Sequence, residues 1–118
     1  MLSLQLKERL FLKGIFNEFR GSLAETKIAM EDAAQVEILE DEAKEIGLKI
    51  EDKVLQWDSS KDYAKEVILS KMMMKFILKT LKKRDEEKNI MIGEVEVVEK
   101  VIAMMREELG LNSDVQTD

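Results

Sequence analysis

Apolar residues recur at three- and four-residue spacing along most of this chain, no proline interrupts them, and five glycines stand singly at Gly14, Gly21, Gly47, Gly93 and Gly110. Such periodicity is the mark of amphipathic helices. The glycines then serve as punctuation. Gly47 and Gly110 fall where helices need a left-handed stop, and Gly21 with Ser22 makes a turn. A mainly α fold follows, a small helical bundle of about four to five helices. At 118 residues one domain is the default. It is expected to span 1–111, with a disordered polar tail over 112–118.

The first helix is expected from about Ser3, its cap, to Phe19, with Leu6, Leu10, Ile15 or Phe16, and Phe19 on its apolar side. Ser22 followed by Glu25 is a capping-box pattern that opens a second helix carrying Leu23, Ile28, Ala29, Ala33 and Val36. A short third helix over Glu40 to Ile46 stops at Gly47. Between Leu48 and Leu69 the period shifts toward two. Val54-Leu55-Gln56-Trp57, the polar turn from Asp58 to Asp62, and Lys65 to Leu69 suggest one short β-hairpin around residues 53–69, with loop and helix extension as the alternatives. Ser70 caps a strong helix to about Lys88, with Met73, Phe76, Ile77, Thr80 and Leu81 on one face. The last helix, from about Gly93 to Leu109, carries the heptad seam Val95, Val98, Ile102, Met105 and Leu109, widened by Val97, Val101 and Met104. A stripe that wide suits a core-facing helix better than a free coiled-coil seam.

Histidine and cysteine are absent, which removes the usual nucleophile, base and soft metal ligand and closes most enzyme chemistries. Glu37-x-x-Glu40 with Asp41 places carboxylates on one helical side, as magnesium sites do, yet no Glu-x-x-Asp follows at a usable distance. Glu96-x-x-Glu99 lacks the histidine of a di-iron bundle. The single glycines make no phosphate loop, and no Ser-x-x-Lys occurs. The expectation is a chain without catalytic residue, metal or cofactor.

Net charge is −6 and unevenly spread. The segment from Glu25 to Glu45 carries −6 by itself, and Glu37, Glu40, Asp41, Glu42 and Glu45 form its acidic band. The segment from Lys71 to Lys88 carries +4, with Lys71, Lys75, Lys79 and Lys82 as a basic stripe. Solvated faces are the bland reading of both. The sharper ones are an acidic inhibitor that imitates a nucleic-acid backbone and blocks a polymerase or defence nuclease, and a lysine stripe that grips phosphates. Against nucleic acid stand the acidic total, a single arginine in the stripe and the lack of interleaved aromatics.

Three consecutive methionines, Met72, Met73 and Met74, must point around most of a helix, and methionine serves irregular cores and adaptable surfaces alike. The expected role is a non-enzymatic interaction or assembly protein. It would bind a protein partner, and a second copy through the last two helices, using Trp57, Met72, Met73, Met74, Val98, Ile102 and Met105. Lys13, Lys75 and Lys79 interrupt the longest apolar runs, so no membrane span is expected. No secretory signal is apparent in the first residues, and the lack of cysteine agrees with a cytoplasmic setting.

The ordered strings Leu6-Lys7-Glu8-Arg9-Leu10, Gly21, Glu40-Asp41-Glu42-Ala43-Lys44-Glu45-Ile46-Gly47, the lone Trp57 and Leu81-Lys82-Lys83-Arg84-Asp85-Glu86-Glu87-Lys88 resemble a family of small helical proteins encoded by bacteriophages and prophages. The resemblance covers about Leu6 to Lys100. It departs at Ile15-Phe16, where family members often have Leu-Pro. It implies a viral or mobile-element context, and brings no activity or catalytic residue.

Overall fold

The computed structural model describes residues 2–51, 54–58, 60 and 63–110. The order of elements is β1 (Leu2–Leu4), α1 (Leu6–Phe16), α2 (Leu23–Val36), α3 (Glu40–Glu45), β2 (Lys49–Glu51), β3 (Val54–Gln56), β4 (Lys65–Val67), α4 (Lys71–Glu86), a 3-10 turn at Ile92–Glu94, and α5 (Val95–Glu108). The mainly α expectation holds. The 112–118 tail lies outside the described residues.

α1 sits at the centre, packed against α2, α4, α5 and β1. Its Leu12, Ile15 and Phe16 meet Ala29 and Val36 of α2, Met73, Met74, Ile77 and Leu81 of α4, and Val97, Val98, Val101 and Met105 of α5 in one apolar core. Each set recurs at the three- and four-residue spacing that keeps side chains on one helical face. Beyond the end of α1, Phe19 stays against α4 through an edge-to-face contact with Phe76, centroids 5.1 Å apart.

Two expectations fail for one reason. Ser3 does not cap α1, because Leu2-Ser3-Leu4 alternates buried, exposed, buried and forms a strand. Gln5 becomes the cap residue instead, and its N–H donates to Glu8 Oε1 at 2.8 Å. The hairpin over 53–69 is not formed either. Both of its strands exist, but β3 pairs antiparallel with β2 (Ile50 opposite Leu55), while β4 pairs antiparallel with β1 (Leu2 opposite Val67, Leu4 opposite Lys65). Val67 has a buried face to satisfy, and the buried Leu2 and Leu4 of β1 share that face.

The caps fall where the spacing places them. Ser22 Oγ accepts from Glu25 N at 3.1 Å, and Glu25 returns the bond to Ser22 N at 2.8 Å. Ser70 Oγ accepts from Met73 N at 3.2 Å and donates to Asp32 Oδ2 at 2.6 Å, so α2 anchors the start of α4. Gly47, at φ +69, turns α3 toward β2 while Leu48 N donates to Ala43 O at 2.8 Å. At the end of α4 the same left-handed position falls on Lys88, at φ 57. Gln35 extends the β1–β4 sheet by side chain: its Oε1 accepts from Ile68 N at 2.8 Å, and its Nε2 donates to Ile68 O.

Candidate interaction surface

α4 and α5 run side by side from the short connection at 87–91 and leave a groove of about 620 Å³ between them. Leu78, Leu81, Lys82 and Asp85 line one wall, and Val95, Val98, Glu99, Ile102 and Arg106 the other, with Ile90 at the end nearest the connection. Both sets step by three and four residues, so each helix turns one continuous stripe into the groove. Leu81 and Val98 form a buried floor, while Leu78, Ile90 and Ile102 are half-buried shoulders. Val95 is 45% exposed, and the adjoining connection leaves Met91 66% and Ile92 95% exposed. Large apolar side chains gathered in this way form a patch that a folded chain normally covers.

The expected surface residues divide. Met73 and Met74 are interior, and Met72 is half-buried against the core, so the methionine run fills the core and offers no open surface. From the heptad seam, Met105 is fully buried and Val98 is floor, leaving Ile102 at the groove edge. Val95, Val98 and Ile102 of the expected seam line the groove, while Met105, with Val97 and Val101, goes to the core. Trp57 is half-buried and Tyr63 is exposed.

Among the acidic band, Glu40, Asp41 and Glu45 are exposed, but Glu42 turns inward. It forms a paired set of hydrogen bonds with the Arg9 guanidinium, Nη1 to Oε1 at 3.0 Å and Nη2 to Oε2. Arg9 is fully buried and Glu42 8% exposed, so the pair fastens α3 to α1 inside the protein. The Arg9 hydrogen bond outweighs the cost of burial and, with the Tyr63 hydroxyl and nearby positive charge, holds the Glu42 carboxyl below its ordinary range. The Tyr63 hydroxyl, donating to Glu42, is pushed up in turn. Glu37 meets Lys13 at 2.8 Å in the open. Glu40 lies 3.7 Å from Lys44 one turn on, and a band with three of its five carboxylates already paired presents less charge than its composition suggests.

Lys71, Lys75, Lys79 and Lys82 are all exposed on α4. Beside them lies a polar cleft of about 350 Å³ whose lining includes Glu18 and Arg84, which form an ion pair, and Glu87 and Glu94. Mixed charge there gives no dedicated anion site. Among the described residues no cluster of three or more acidic side chains is arranged to hold a metal ion, and no helix is long and apolar enough to cross a membrane.

The sequence reading named Val98 and Ile102 of this groove and missed its other wall, Leu78 with Leu81 and Ile90, because that wall depends on which face α5 buries. Its signal was present all the same, in the repetition Leu78, Leu81, Lys82, Asp85 against Val95, Val98, Glu99, Ile102. No family model, curated protein or solved structure matches this chain.

Proposed function

We propose that this chain is a non-enzymatic protein-protein interaction module whose binding face is the groove between α4 and α5. The observation that carries the reading is the apolar lining of that groove, the exposed Val95 beside half-buried Leu78, Ile90 and Ile102, on an otherwise highly charged protein. A groove between two helices with apolar shoulders and charged rims receives a third helix or a helical pair. The phage-type setting is what the resemblance implies, and an adaptor or assembly role suits it.

The test is affinity capture from cells that express the chain, with the tagged wild type beside Val95→Glu, and with and without nuclease. Val95 is at the first turn of α5 and exposed, so a glutamate is tolerated there and favoured by the helix dipole. Capture that resists nuclease and disappears with Val95→Glu supports the reading. Capture unaffected by the substitution removes the groove as the binding face.

A further inference from the structure

We infer that α3 is a strap that opens as a unit while the rest of the fold stays intact, and that the Arg9–Glu42 pair is the latch that holds it shut.

The inference starts from how α3 is attached. A helix of six residues does not stand alone in water, so α3 (Glu40–Glu45) depends on what it docks against. α2, α4 and α5 dock through apolar residues shared with α1, but among the described residues α3 contributes none to that core. The residue it buries is Glu42. Ile46, buried just beyond its end, also lies outside the main core. Charge therefore fastens α3, where apolar area fastens the longer helices.

The latch joins three parts of the chain. The Arg9 guanidinium reaches Glu42 from α1 through Nη1 and Nη2, and the Tyr63 hydroxyl donates to the same carboxylate from the segment before β4. Separating the pair without admitting water would leave a buried charge, so a half-open strap is disfavoured and α3 is either shut or open. Both ends of the strap can turn. It starts at Leu39 in extended backbone with no side-chain cap, and it stops at Gly47, where a φ of +69 costs glycine nothing. Ties beside it include the exposed Lys13–Glu37 pair, worth little in water, and the Asp58 N–H donating to Ile46 O at 2.8 Å. Once open, the six-residue helix has nothing to hold it, its amides meet solvent and Arg9 is uncovered.

Native-state hydrogen exchange on the full chain, followed by NMR at low urea concentrations, tests the inference with wild type, Glu42→Ala and Ile77→Val. Ala43, Ile46 and Leu48 donate their amides to Leu39 O, Glu42 O and Ala43 O. In wild type these three are expected to share one opening free energy and to exchange faster than the buried amides of α1 and α4. Glu42→Ala should speed them about a hundredfold, the rate equivalent of stranding a buried ion-pair partner. Ile77→Val trims the main core, and should speed the α1 and α4 amides about fivefold while leaving the strap amides at their wild-type rate. Strap amides that follow the core in Ile77→Val would show that α3 opens only with global unfolding, and would overturn the inference. Three unrelated opening energies in wild type, or strap exchange unchanged by Glu42→Ala, would overturn it as well. Should Glu42→Ala not fold, Glu42→Gln, which keeps one acceptor, replaces it with an expected increase of about tenfold.

Discussion

Replacing Glu42 with alanine should cost the folded state about 3 kcal/mol, at the lower end of the 3–5 kcal/mol for breaking a buried ion pair by removing one partner. The magnitude follows from what is left behind. Arg9 is fully buried, its Nη1 and Nη2 both point at Glu42, and its Nε finds no hydrogen-bond partner among the described residues. Without Glu42 the guanidinium would be a buried charge with nothing to offset its desolvation. The lower end applies because Glu42 borders the exposed Tyr63, where water can enter the gap. Against a total stability of roughly 5–15 kcal/mol for a domain of this kind, the loss is large. Glu42→Gln, which keeps the shape and one acceptor, should cost about half as much. The double replacement Arg9→Met with Glu42→Leu should be near neutral, since it removes both desolvation costs together. Urea unfolding at constant pH measures all four proteins. The pH dependence supplies a second reading. Glu42 titrates below its ordinary value of 4.5 when folded, so its contribution is fully present above pH 4.5 and is lost as pH falls through the lowered folded value. Wild type should therefore lose stability below pH 4.5 more steeply than Glu42→Gln. A loss under about 1 kcal/mol for Glu42→Ala, or equal acid sensitivity in both proteins, would refute the claim that this pair is desolvated and structural.

Other consequences can be read in the same way. Ser70→Ala removes the cap of α4 and leaves the buried Asp32 without its hydroxyl donor, so thermal unfolding should show a loss of about 2 kcal/mol. Gly14→Ala should stabilise by up to about 1 kcal/mol, since Gly14 lies inside α1 and an added Cβ meets nothing within 4 Å. Lys88→Gly should stabilise by about 1 kcal/mol, because a lysine there holds a left-handed conformation that glycine adopts freely. If Lys75, Lys79 and Lys82 touch phosphates, their joint replacement should flatten the salt dependence of oligonucleotide binding by a slope of about 2 to 3. Wild-type binding with no salt slope would remove the stripe as a phosphate contact.

What was legible in the sequence, and what was not, separates by range. Caps are local, and Ser22 with Glu25, Ser70 before Met73 and Gly47 all act at spacings fixed by helix geometry. Strand pairing is not local. Val54–Gln56 and Lys65–Val67 have strand character by themselves, but their partners were decided by which faces had apolar residues to bury, and Leu2 with Leu4 is more than sixty residues away from β4. A three-residue alternation at the start of a chain is also easily absorbed into the helix that follows it. Ser3 had the chemistry of a cap but stood between two leucines that both needed the same side of a sheet.

Charge and methionine content misled for a related reason. Composition counts Glu42 with Glu40, Asp41 and Glu45, yet a carboxylate that meets a buried arginine on another helix contributes to folding and presents nothing to a partner. Likewise three adjacent methionines cannot all be surface on a helix with lysines at Lys71 and Lys75, and the core claimed the two in register with Ile77 and Leu81. The consequence bears on function. Once Glu42, Met73, Met74 and Met105 are assigned to the interior, Val95, Met91 and Ile92 stand out near the groove among the apolar residues that the fold leaves exposed, which also include Leu23, Met30, Leu39 and Ile68 elsewhere. An apolar side chain that the monomer leaves exposed at 95%, as at Ile92, gains nothing from the chain's own fold. Burial elsewhere is where such a residue is stabilising, and the groove between α4 and α5, with its apolar floor of Leu81 and Val98, is where a partner would begin to supply it.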